Sequence, residues 1–115
     1  MDNKKVIAAI VQAFNDNDNE AILQYMTDDI EWHMLGDCIL AGKQNIRDFF
    51  KNNPEVKVLN CTQDHFLVDG DVASVSGEIQ CHNPSGKDFN MYYCDIYELT
   101  GGKVKKMITY GINKK

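Results

Sequence analysis

One aspartate stands in the middle of a segment that otherwise reads as a buried strand. The segment is Phe89-Asn90-Met91-Tyr92-Tyr93-Cys94-Asp95-Ile96-Tyr97-Glu98-Leu99. It is rich in aromatic and β-branched residues, and Thr100-Gly101-Gly102-Lys103 after it is a hairpin signal. Side chains alternate across a strand, so Asp95 shares a face with Met91, Tyr93, Tyr97 and Leu99. A carboxylate on such a face costs free energy unless it is paired, protonated or at work. The chemistry open to it is proton transfer, or orientation of a bound molecule. The competing reading is a structural carboxyl held by Tyr93, Tyr97 or backbone.

Turns on either side place its neighbours. A turn centred on Gly70 pairs Leu67 with Ala73, His65 with Val75, Gln63 with Gly77 and Cys61 with Ile79. A turn centred on Ser85 pairs Val75 with Asp95, Gly77 with Tyr93 and Ala73 with Tyr97. The Gly101-Gly102 turn, with one bulge residue, puts Asp95 near Met107 and Tyr93 near Thr109. The expected rows are therefore His65–Val75–Asp95–Met107 and Gln63–Gly77–Tyr93–Thr109. His65 then sits two strands from Asp95, about 9–10 Å away, within reach through a ligand or water. This makes Asp95 and His65 the catalytic candidates, with an outward position as the competing reading for His65. Trp32, Met34, Gln63, Val75, Tyr93, Tyr97, Met107 and Thr109 are the candidate ligand contacts, and Gly77 leaves room beside Tyr93. His33 and His82 read as surface residues. His33 with Asp37 offers two ligand types at one strand end, too few for a metal site.

These residues need a scaffold. Residues 4–16 carry Val6, Ile7, Ile10, Val11 and Phe14 at helical spacing. Asn15-Asp16-Asn17-Asp18-Asn19 breaks the pattern, and Glu20–Met26 resumes it. Ile30–Met34 alternates as a short strand, Gly36-Asp37 turns, and Gly42 precedes a third helix over Lys43–Asn52 that Pro54 stops. The remainder reads as strands: a long Val56–Val68, then Val72–Cys81, Phe89–Leu99 and Val104–Ile112. Helices followed by an antiparallel meander make an α+β layer fold, one domain over residues 1–115.

Composition narrows the function classes. The chain has 115 residues, 43% hydrophobic, with net charge −5, which argues against nucleic acid as a partner. No apolar run approaches the roughly 20 residues of a membrane helix. The N-terminal Met1-Asp2-Asn3-Lys4-Lys5 does not read as a signal peptide, so a cytoplasmic location is expected by default. Cys38, Cys61, Cys81 and Cys94 contain no C-x-x-C pair and are expected to be free thiols. No P-loop, dinucleotide fingerprint or nucleophile elbow is present, so no cofactor is expected.

The order of elements resembles the nuclear transport factor 2-like superfamily, in its SnoaL-like and ketosteroid-isomerase-like branch. The resemblance is carried by Phe14–Ile22, Met26-Thr27-Asp28-Asp29-Ile30-Glu31-Trp32, Leu40-Ala41-Gly42-Lys43-Gln44-Asn45-Ile46, and Asp95–Leu99 with Gly102-Lys103-Val104. It implies a cone: a curved sheet, the nuclear transport factor 2-like or cystatin-like roll, closed over a pocket by three N-terminal helices. In the isomerases a carboxylate base, a tyrosine and a neutral aspartic acid do the chemistry. Asp95 matches the aspartic acid; the base position falls on Met34 and the tyrosine position on Ile10.

Three functions are open. The first is a module that binds a small apolar ligand without turnover. The second is a proton-transfer enzyme (isomerase, cyclase or dehydratase) acting on a small apolar or polyketide-like substrate. The third is an association domain with a vestigial pocket. The outer strand faces carry Tyr92, Cys94, Ile96, Ile108, Tyr110 and Ile112, with Glu98 and Lys106 at the rim, so a homodimer through this face is expected.

Overall fold

Acidic side chains start the first two helices. Asp2 accepts from the Lys5 N–H at 2.8 Å and opens α1 (Asn3–Asn15). Asp18 accepts from the Ala21 N–H at 3.2 Å and opens α2 (Asn19–Gln24). Each bond satisfies one N–H that a helix end leaves without an intrahelical partner. The third helix, α3 (Lys43–Asn52), follows Gly42. The computed structural model of the chain describes residues 2–53, 57–84 and 86–114. Pro54, Val56 and the Ser85 turn centre lie outside the described residues.

Seven strands form the sheet: β1 (Met26–Met34), β2 (Cys38–Ala41), β3 (Lys57–Cys61), β4 (His65–Asp69), β5 (Val72–His82), β6 (Phe89–Thr100) and β7 (Lys103–Asn113). Their order is β2-β1-β7-β6-β5-β3, with β4 also paired to β5. The fold is α+β, with three helices on a curved, unclosed sheet. One pairing departs from the expected antiparallel meander: β1 runs parallel to β7. The two strands are joined through β2, α3 and the rest of the sheet, so no hairpin sets their direction. Cys38–Ala41 is too short a pattern to read as a strand, yet it folds back on β1.

The expected long strand is two strands. Thr62-Gln63-Asp64 interrupts it, and the register against β5 steps by one residue across the break. Cys61 still opposes Ile79, but Val68, not Leu67, opposes Ala73. A one-residue step exchanges faces. Phe66 and Val68 therefore turn inward, while His65 and Leu67 are exposed. Gly77 permits the break. A Cβ there would lie 2.2 Å from the Thr62 carbonyl oxygen. In return Thr62 bonds Glu78 twice, N–H to carbonyl at 2.8 Å and hydroxyl from N–H at 2.9 Å.

A second irregularity shifts β7. Gly101 and Gly102 both take positive φ, 56° and 78°, as a two-residue hairpin turn of the primed type requires. Beyond the turn Leu99 opposes Val104, but Glu98 opposes Lys106, so Lys105 is the extra residue of a bulge. Asp95 consequently meets Thr109 rather than Met107, and Met107 meets Tyr97. Tyr93 meets Gly111 rather than Thr109. The displacement is two residues, so the inward face is kept.

The helices bury their apolar stripe on the concave face. Ile7, Ile10, Ile22, Leu23 and Ile46 are fully covered there and pack with Met26, Ile30, Tyr97 and Met107. Each such side chain contributes about 1.5–3 kcal/mol of burial. Asn17, at φ 56°, ties the α1–α2 break to β3: its amide donates to the Val58 carbonyl at 3.1 Å and accepts from the Val58 N–H at 2.8 Å. The clasp holds the helical layer to one edge of the cone and leaves the space between open.

Candidate functional site

The space between helices and sheet is a cavity of about 440 Å³. Asp95 lies in its wall, with Val75 beside it on β5, Thr109 on β7 and, one strand further, Met34 on β1. Trp32, Tyr93, Tyr97 and Met107 complete the expected wall residues that the fold brings together. His65 and Gln63 are not among them. His65 is exposed on the outer face, where its Nδ1 lies 3.3 Å from the Ser76 hydroxyl. Gln63 is exposed in the break and donates to the Cys61 carbonyl at 3.1 Å. The same one-residue step explains both corrections: unbroken alternation predicts the inner face, and the extra residue reverses it.

Asp95 is held by hydroxyls. Thr109 donates to Oδ1 at 2.8 Å, and the Trp32 indole N–H donates to the Thr109 Oγ1 at 2.9 Å. The Tyr97 hydroxyl stands 3.5 Å from Oδ2. Desolvation dominates these donors and pushes the carboxyl up from 3.8 to about 6. No ion pair reaches it among the described residues. Asp95 keeps some accessible surface because it faces the cavity, while Tyr97 beside it is fully covered. Burial also raises the Tyr97 hydroxyl well above its ordinary value.

Tyr93 is committed differently. Its hydroxyl donates to the Thr62 carbonyl at 2.6 Å, across the gap that Gly77 leaves. Burial pushes its pKa up, so it is neutral at pH 7 and presents lone pairs rather than a proton to the cavity. Cys61 and Cys81 also line the wall. Both are free thiols raised by burial, Cys81 to about 11, so neither is a thiolate at neutral pH.

Several wall residues escape the sequence reading. Phe14 from α1 and Phe49 and Phe50 from α3 pack edge-on around Trp32, with ring centroids 5.9, 6.5 and 6.1 Å away. Their signal is the adjacent Phe49-Phe50 pair, since one of two successive helix positions is enough to reach the core. Cys61 opposes Ile79, and both line the cavity. Among the described residues no group of three His, Cys, Asp or Glu side chains is arranged to hold a metal. No helix there is long and apolar enough to cross a membrane.

A SnoaL-like domain profile matches residues 7–107. The chain belongs to the SnoaL-like family. No curated protein matches the sequence of this SnoaL-like domain. Solved structures match its fold. An NTF2-like protein of unknown function from Cytophaga hutchinsonii is 23% identical, with a TM-score of 0.76 over 96% of this chain and 100% of that one. A putative SnoaL-like polyketide cyclase from Shewanella denitrificans is 13% identical, with a TM-score of 0.84 over 96% and 90%. An LEH-like epoxide hydrolase from M. tuberculosis is 13% identical, with a TM-score of 0.83 over 96% and 82%. At these identities the likeness is one of fold, and one fold carries many chemistries.

Proposed function

We propose that this SnoaL-like domain holds a small, largely apolar molecule in the cone, oriented by Asp95 and Tyr93. The observation that carries the reading is the Asp95 carboxyl, the one carboxyl among the described residues in the wall of an otherwise mostly apolar cavity of about 440 Å³. Pockets of this size and lining take small molecules, and a few placed polar groups suffice to orient them. Exposed Asn53 and Lys57 lie on the lining and mark its way out to solvent.

Proton transfer is the second reading, with Asp95 as acid or base in an isomerisation, cyclisation or dehydration. The observation that favours it is the Asp95 pKa of about 6, because acid–base groups work best with a pKa near the operating pH. The cyclase and epoxide hydrolase among the structural neighbours are in keeping with it. His65 drops out as helper. The partner in the same proposal is a second copy of the chain, across the outer sheet face. Tyr92, Tyr110 and Ile112 are 52%, 48% and 68% exposed on adjacent strands there.

Trp32 is the sole tryptophan and sits in the wall, so its fluorescence reports occupancy. Titration with menthol, an apolar molecule with one hydroxyl, is expected to change that fluorescence saturably. Replacing Asp95 by Leu is expected to weaken binding about tenfold, the worth of one hydrogen bond to a charged group. A signal that never saturates, or equal affinity in the Leu variant, rejects the binding reading. Deuterium uptake by menthone next to its carbonyl, lost in Asp95→Asn, separates turnover from binding alone.

A further inference from the structure

Polar groups from three consecutive strands, β1, β7 and β6, form a chain that ends at Asp95. The indole N–H of Trp32, on β1, is a donor and nothing else. It lies 2.9 Å from the Thr109 Oγ1 on β7, so it occupies a lone pair of that hydroxyl. Thr109 has one proton left to give, and Asp95 Oδ1 on β6 is its acceptor at 2.8 Å. The indole is wedged edge-on among Phe14, Phe49 and Phe50, which fixes the direction of its N–H. Among the described residues Oδ2 has only the Tyr97 hydroxyl, at 3.5 Å, beyond the range of a strong hydrogen bond.

We infer that Trp32 and Thr109 are positioning residues for Asp95, forming a one-way hydrogen-bond relay that commits Oδ1 as an acceptor and leaves Oδ2 as the oxygen that gains and loses the proton. A proton on Oδ1 would face the Thr109 oxygen and force that hydroxyl to turn its own proton away from its acceptor, in a wall with little else to receive it. A proton on Oδ2 disturbs neither bond. When Oδ2 hands its proton to a bound molecule, the charge left behind is met at Oδ1 by the Thr109 hydroxyl, which Trp32 polarises. The relay thus stabilises the ionised form and lowers the carboxyl pKa against the pull of burial.

Among the described residues, the other titratable groups facing Asp95 are Tyr93 and Tyr97 on its own strand and Cys61 on β3, all raised and so neutral at pH 7. From β1, β5 and β7 come Trp32, Met34, Val75, Met107 and Thr109, none of which titrates. The relay is therefore the main polar influence on the carboxyl. It deepens the proposed role of Asp95, but it is read on ligand-free protein, so it stands or falls apart from ligand binding.

The test follows the Asp95 side-chain carboxyl carbon by NMR against pH, assigned by its loss in Asp95→Asn. In Thr109→Val the titration midpoint is expected to rise by about one pH unit, the scale of one charge-assisted bond. Thr109→Ser keeps the hydroxyl and is expected to titrate like the unmodified protein. Trp32→Phe keeps an aromatic ring without the N–H and is expected to raise the midpoint by less than Thr109→Val does. A merely structural role would lower the melting temperature and leave the midpoint in place. An unchanged or lower midpoint in Thr109→Val, or a Ser variant that shifts as far as Val, overturns the relay. If Thr109→Val does not fold, an unmoved midpoint in Trp32→Phe does the same.

Discussion

Burial raises the Asp95 pKa and two hydroxyls lower it, and burial wins, leaving the carboxyl at about 6. That balance has a sign for stability. The unfolded chain releases this proton near 3.8 and the folded chain near 6, so the group's contribution is fully present below pH 4 and is lost as pH rises through 6. The loss amounts to about 3 kcal/mol, taking each pH unit as about 1.4 kcal/mol. Asp95→Asn cannot ionise, and its carbonyl can still accept from Thr109. The variant is expected to be at least as stable as the parent at pH 8, by up to about 3 kcal/mol, and to lack this pH dependence. Urea unfolding at pH 4.5 and pH 8 measures both. An Asn variant clearly weaker at pH 8 would mean that donors hold the ionised form more strongly than burial opposes it.

Among the elements, the break between β3 and β4 does most to shape the site. It turns His65 outward and Phe66 inward, and it lays the Thr62 carbonyl over Gly77 where Tyr93 binds it. The close approach depends on the missing side chain, since a Cβ at Gly77 would also lie 2.7 Å from the Thr62 hydroxyl. Gly77→Ala therefore has to push backbone aside rather than bend a flexible tip. The expected cost is about 2 kcal/mol, typical of an overpacked site, read as a lower urea midpoint with an unchanged slope. The Tyr93 hydroxyl should lose its acceptor in the same variant, visible as faster exchange of its proton. A midpoint equal to the parent's would show that the Thr62 segment moves away freely and that the break is not anchored there.

On the whole molecule the convex face carries its own pattern. A continuous row crosses the sheet through Ile39, His33, Ile108, Ile96, Ser74 and Leu67, with Ile39 and Leu67 exposed at its two ends. Tyr92, Tyr110 and Ile112 extend the apolar surface along β6 and β7. Glu98 pairs with Lys106 at the edge, so charge flanks the face rather than dividing it. If a second copy covers this surface, sedimentation gives about twice 13.1 kDa at micromolar concentration. Tyr110→Glu is expected to return the protein to 13.1 kDa, because a carboxylate buried there has no partner. A parent that sediments as a monomer, or a Glu variant that dimerises as before, places the partner elsewhere.

What the sequence by itself determined is local. Periodicity and flanking residues were enough for α3 over Lys43–Asn52, and the turn after β5 was enough to set Val75 against Asp95. Both follow from interactions a few residues apart, helical spacing in one case and hairpin geometry in the other. The pairing of β1 with β7, the clasp of Asn17 on Val58 and the meeting of Trp32 with Thr109 join residues far apart in the chain. No turn residue encodes such meetings; packing the helices onto the sheet selects them. Two of the register irregularities, at Thr62–Asp64 and Lys105, lie between these levels. Each is local in sequence, yet its consequence is read across the sheet: the first step removed His65 from the cavity, and the second brought Thr109 to Asp95, because a strand's faces alternate and a shift of one or two residues decides which side chains meet.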